Sequence, residues 1–146
     1  MKFRETEDKL FPVVEPLVSR MGYCVVEIKS RHVENRLQIH LVIHKPGGIS
    51  IDDCTEVYRA VMPRIEVVEN TRDVHLEVSS PGVGRVLKSA DEFKVFFGCG
   101  IKILINGSDG WIKGTIQGVL NDKMILATEN GDREMAFDTI IKAKLD

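Results

Sequence analysis

The three cysteines, Cys24, Cys54 and Cys99, are an odd number at wide spacings, and no C-x-x-C pair marks a zinc ribbon. A disulfide framework is therefore not suggested, and free, buried or half-buried thiols are expected. No run approaches the roughly 18 consecutive apolar residues that a membrane-spanning helix requires. The opening MKFRETEDKL is too charged for the apolar core of a secretory signal, so a cytoplasmic location is expected. Charge of one sign is also scarce: the formal net charge is −2 and the pI is about 6.1. That balance argues against a protein whose affinity comes mainly from neutralising many phosphates. Any RNA contact should be local and patchy, and a mildly acidic chain equally suits a basic protein partner.

What is present is ordinary globular composition, 43% hydrophobic and 29% charged, in 146 residues, enough for one domain or two small ones. Leu10, Val13, Val14, Leu17, Val18 and Met21 follow the spacing of one apolar helix face, with Thr6 as the cap, Gly22 as the stop and Pro16 as a source of bending. From Val25 the period becomes two. Strands are predicted over Val25 to Lys29 and Leu37 to His44, joined by the polar SRHVEN, with Leu37, Ile39, Leu41 and Ile43 on one face. After KPGG, Ser50 and Asp53 form a capping box for a second helix that buries Cys54, Val57, Val61 and Ile65, and that Pro63 should end or kink. A third strand runs from Val74 to Val78.

The second half has shorter elements. Ser89 with Glu92 is read as the cap of a short helix carrying Phe93, Phe96 and Phe97 and stopped by Gly98. Strands follow near Ile101 to Ile105, Trp111 to Leu120, Lys123 to Thr128, Arg133 to Phe137 and Ile141 to Leu145, separated by NGSDG, ND and ENGD turns. The fold class is thus α+β. Residues 1–84 form an N-terminal α/β layer, helix-strand-strand-helix-strand, with a three-stranded sheet and two helices; residues 85–146 form a small SH3-like or Sm-like β-barrel.

Candidate chemistry is sparse. His40 and His44 form H-x-x-x-H, but on a strand their side chains start about 13 Å apart, too far to share a metal. Both are expected to face solvent. Asp52 and Asp53 suit the positive end of a helix dipole. Ser79 and Ser80 lack a G-x-S-x-G elbow, and Gly82-Val83-Gly84 lacks the rest of a phosphate-binding fingerprint. Pro81 and Gly82 instead suit the two centres of a type II turn. Trp111 could stack on a base or pack the barrel end, and packing is the expectation. Basic residues gather as Lys29, Arg31 and Arg36, as Arg72, Arg85 and Lys88, and as Lys142 and Lys144. Of these, Arg72, Lys88, Lys142 and Lys144 are candidate RNA contacts.

The stretch LEVSSPGVGRVL, Leu76 to Leu87, resembles the signature segment of the RimP family of bacterial ribosome maturation factors. GYCVVEIK from Gly22, ISIDDCTEVYRAV from Ile49 and IIKAKL from Ile140 are similar to that family's other recurrent segments, in its order. The family usually has an aspartate where Gly84 stands and a proline where Val86 stands. The resemblance implies an N-terminal α/β domain joined to a Sm-like barrel, with Ser79, Ser80, Pro81, Gly82 and Arg85 as interdomain or partner-binding residues. It also implies binding to immature free small ribosomal subunits, contact with the decoding-centre ribosomal protein, promotion of small-subunit ribosomal RNA maturation, and no cofactor. No catalytic or metal site is expected, and a monomer is expected because a fused domain obstructs ring formation by a barrel. Two other classes remain open: a free-standing single-stranded RNA-binding module, and a hydrolase built on Ser79 or Ser80.

Overall fold

The computed structural model describes residues 9–82 and 84–146. The chain divides into two compact units, with the break between Pro81 and Gly82.

The N-terminal unit contains α1 (Phe11–Arg20), β1 (Cys24–Val33), β2 (Arg36–His44), α2 (Ile51–Glu69) and β3 (Val74–Ser79). Its sheet order is β1-β2-β3, with β1 antiparallel and β3 parallel to β2. A parallel pair needs a long crossover, and α2 supplies it. Leu37, Ile39, Leu41 and Ile43 alternate along β2 and enter one core with Leu10, Val14 and Val18 of the α1 region and with Val57, Val61 and Ile65 of α2. The two helices therefore cover one sheet face. Thr6 lies outside the described residues. Gly22 does stop α1: its φ is +94°, and its N–H donates to the Ser19 carbonyl.

Three local expectations change. SRHVEN is mostly strand, because β1 continues to Val33, pairs with Arg36 and leaves only Glu34 and Asn35 to turn the hairpin. Arg31 and Gln38 are opposite one another and joined by a hydrogen bond, so this polar extension is held by its ladder instead of by a buried face. Pro63 neither ends α2 nor marks its boundary. It lies on the exposed side, where water can satisfy the carbonyl it leaves unpaired, while Val57, Val61 and Ile65 anchor both sides of it. The helix ends at Asn70, which takes the left-handed conformation (φ 52°) and lets the Thr71 N–H reach the Glu66 carbonyl. Cys54 is only half-buried in the stripe.

The C-terminal unit contains α3 (Ala90–Val95), β4 (Gly100–Ile105), β5 (Ile112–Leu120), β6 (Lys123–Thr128), β7 (Gly131–Ala136) and β8 (Ile140–Leu145). All neighbouring strands are antiparallel, in the order β7-β6-β5-β4-β8. β7 and β8 lie at opposite edges, yet only the 3₁₀ turn Phe137–Thr139 joins them. Edges of a flat five-stranded sheet are about 19 Å apart, whereas such a turn advances about 8 Å. The sheet must curl into a small open barrel, which closes over Ile101, Ile103, Ile116, Met124, Leu126 and Ala143. Phe93 and Phe96 are buried, while Phe97 is exposed. The Ser89 side chain makes no capping hydrogen bond, so the second capping box is not formed.

The curl brings β5 hard against β6 at Gly114, where an added Cβ would lie 2.5 Å from the Ala127 carbonyl oxygen and 2.7 Å from Leu126 Cγ. Gly114→Ala should destabilise the protein by about 1–3 kcal/mol through overpacking. Gly118→Ala, on the same strand with nothing within 4 Å of the added atom, should be close to neutral. Urea denaturation of the two variants checks the contrast.

Candidate functional site

The segment Leu76 to Leu87 crosses the break, so its residues belong to two units. In the N-terminal unit, β3 ends at Ser79, whose Oγ lies 2.9 Å from His40 Nε2 on the sheet face opposite the helices. Ser80 is exposed and Pro81 half-buried. The serine–histidine contact lies on an open sheet surface, and no carboxylate among the described residues bonds the other side of the His40 ring. His40 is exposed as expected, but His44 is half-buried, and burial lowers its pKa.

In the C-terminal unit, the turn lies two residues beyond its expected place. Gly82 does not have positive φ; Gly84 does (φ +79°), and the Arg85 N–H donates to the Gly82 carbonyl at 3.1 Å. The chain then runs along β8: the Gly84 N–H donates to the Leu145 carbonyl, the Leu145 N–H to the Arg85 carbonyl, and the Leu87 N–H to the Ala143 carbonyl. Arg85 turns inward. Its Nη2 is 3.5 Å from Glu92 Oε1, with side-chain exposures of 13% and 5%. The other carboxylate oxygen of Glu92 accepts the Lys88 N–H, so this first-turn acid of α3 ties the incoming segment down instead of completing a cap.

Two other family-like segments meet at the start of α2. Ser50 and Asp53 form a full capping box, and the Tyr23 hydroxyl donates to Asp53 Oδ1 at 2.8 Å. Lys45 Nζ is 3.2 Å from Asp53 Oδ2 and 5.4 Å from the Tyr23 ring centroid. The Ser50 N–H, followed by the Tyr23 hydroxyl, holds the Asp53 carboxyl well below the usual carboxylate range. The same hydrogen bond to Asp53, with burial, pushes the Tyr23 phenol up to about 12. This corner fixes the entry to α2; Asp52, the other first-turn acid, is exposed.

The candidate RNA contacts are dispersed. Arg72 borders a shallow cleft at the end of α2 with Pro63, Glu66, Val67, Asn70 and Thr71. Lys88 is exposed in the other unit. Lys142 and Lys144 share the outer face of β8, where the register adds two residues that composition alone does not group with them. Lys144 lies directly opposite Lys102 of β4, and Lys102 directly opposite Lys113 of β5. Trp111, 40% exposed, has the Lys102 and Lys144 ammonium groups 5.4 and 5.6 Å from its ring centroid. It is therefore a surface aromatic. Strand alternation places Lys102 and Lys113 outward, but only the register makes them neighbours of Lys144.

Burial raises the pKa of the Cys54 and Cys99 thiols, and all three cysteines are free. No cluster of three or more His, Cys, Asp or Glu among the described residues could hold a metal. No helix among them is long and apolar enough to cross a membrane.

These features define a two-unit α+β protein, an α/β layer followed by a curled β-sheet. The family model described as the RimP N-terminal domain matches residues 13–84. Ribosome maturation factor RimP of Borrelia recurrentis (strain A1) is 27% identical over 137 residues, covering 94% of this chain and 94% of the relative. Both matches are to the RimP family, to which the chain is similar over nearly its whole length.

Two stability predictions follow from the buried polar groups. Tyr23 is bound as the neutral phenol, so its contribution is complete below its ordinary pKa of 10.0 and is lost as pH rises from there through about 12. Asp53 has the opposite sign: its contribution is present above its ordinary value of 3.8 and is lost as pH falls below it. Tyr23→Phe should flatten the alkaline limb of unfolding free energy against pH, measured by urea titrations. Separately, Glu92→Gln should cost about 3–5 kcal/mol by breaking a buried ion pair, and Arg85→Met with Glu92→Leu should recover most of that loss in the same assay.

Proposed function

We propose that this protein is a non-catalytic ribosome maturation factor for the small ribosomal subunit, which it binds in its immature free form in the cytoplasm. The observation that carries the reading is the end-to-end similarity to a ribosome maturation factor, which spans both units. In this reading the monomeric protein contacts the basic decoding-centre ribosomal protein and promotes maturation of small-subunit ribosomal RNA. Its pI of about 6.1 suits a basic protein partner. Ser79, Ser80, Pro81, Gly82 and Arg85 are proposed to serve partner binding, the first four by supplying accessible surface and Arg85, paired with Glu92, by its place in the C-terminal unit. The protein acts by binding an assembly intermediate more tightly than the mature subunit, because only differential affinity shifts such an equilibrium.

A free-standing single-stranded RNA-binding module is the second reading, favoured by the lysines around Trp111. Sucrose-gradient sedimentation of the tagged protein in cell extract separates the two. Enrichment with free small subunits, and little with whole ribosomes, is expected. Recovery only at the top of the gradient, or equal affinity for immature and mature subunits in a titration, would overturn the assembly reading.

A further inference from the structure

We propose that the outer face of β4, β5 and β8 is a binding surface for a single-stranded RNA segment, with Trp111 stacking on a base and Lys102, Lys113, Lys142 and Lys144 contacting the phosphates on either side. The inference relies on the ribosomal reading only for the source of the RNA; the surface chemistry stands on its own.

The outer face of these strands gathers charge of one sign. Lys144, Lys102 and Lys113 stand in one row across three antiparallel strands, each directly opposite the next. Lys142 lies one step along β8, opposite Leu104. Like charges directly opposite on a sheet destabilise it. Among the described residues no carboxylate lies within 4.0 Å of any of these ammonium groups. The lysines occur in a chain of net charge −2, so the positive potential is local to this face. A polyanion laid across the strands would convert the repulsion into attraction.

The indole distinguishes RNA from an acidic peptide. Trp111 is followed by β5 and shares an outward face with Lys113 two residues later, while Lys102 and Lys144 approach its ring. A tryptophan that remains 40% exposed between cations provides a π-face for a base and charges for its flanking phosphates, the two parts of a single-strand platform. An unstacked base is required, so a duplex should bind poorly. Leu104, half-buried and opposite Lys142, adds apolar surface to the same face.

Trp111 is the chain's single tryptophan, so its fluorescence reports on this face alone. The full chain is titrated at low salt with an unstructured RNA oligonucleotide of roughly 12 nucleotides, with the same RNA as a duplex, and with polyglutamate. Quenching by the single strand is expected, with weaker binding of the duplex and of polyglutamate. By anisotropy of labelled RNA, Trp111→Ala should weaken binding about ten-fold. Lys102→Gln with Lys144→Gln should reduce the slope of log affinity against log salt by about 1.4. Circular dichroism checks folding, and the single exposed variant Lys113→Gln, with an expected slope change of about 0.7, guards against a folding defect in the others. Absence of quenching, unchanged affinity in the lysine variants, or equal binding of polyglutamate would overturn the proposal. Because the assay contains no ribosome, these failures would leave the sedimentation result untouched.

Discussion

Strand alternation sorts the side chains of each sheet between two faces, and most of the chemistry on the surface follows from that constraint. In the N-terminal unit the side chains of Leu37, Ile39, Leu41 and Ile43 pass under the two helices. The intervening residues, Gln38 and His40 among them, are then turned to the opposite face, where His40 meets Ser79. In the C-terminal unit Ile101, Ile103 and Ala143 turn into the barrel, and Lys102, Lys142 and Lys144 turn out. A strand with one buried face must present its alternate residues together. What the register adds is which outward residues on different strands become neighbours.

That division explains which parts of the molecule were legible from residues alone. Alternation in Leu37 to His44 and the Ser50–Asp53 box are local signals, and both are realised. The effect of Pro63 is not local: it depends on which side of α2 faces water and on the core contacts of Val57, Val61 and Ile65. Ser89 and Glu92 have capping-box spacing, but Glu92 is drawn to Arg85 and the Lys88 N–H. A nearby cation competes for the carboxylate, and the sequence spacing carries no sign of it. The lysine row is hidden for the same reason, since Lys102 and Lys144 are far apart in the chain and opposite one another only through the β4–β8 register.

The Gly84–Leu87 segment shows how backbone accounting can explain side-chain departures from a family pattern. Its hydrogen bonds to β8 use the Gly84 N–H, the Arg85 carbonyl and the Leu87 N–H. Val86 forms the bridge with Lys144 between those bonds, and its own N–H makes none to β8. A proline, the residue the family resemblance implies at this position, would therefore remove no ladder hydrogen bond, and valine can replace it without leaving a β8 carbonyl unpaired. Gly84 has φ +79°, a conformation that glycine adopts freely and that aspartate tolerates better than most residues. Both departures thus fall where the backbone accepts either residue. Arg85, which matches the family pattern, is the position whose side chain is committed to a specific buried partner, Glu92.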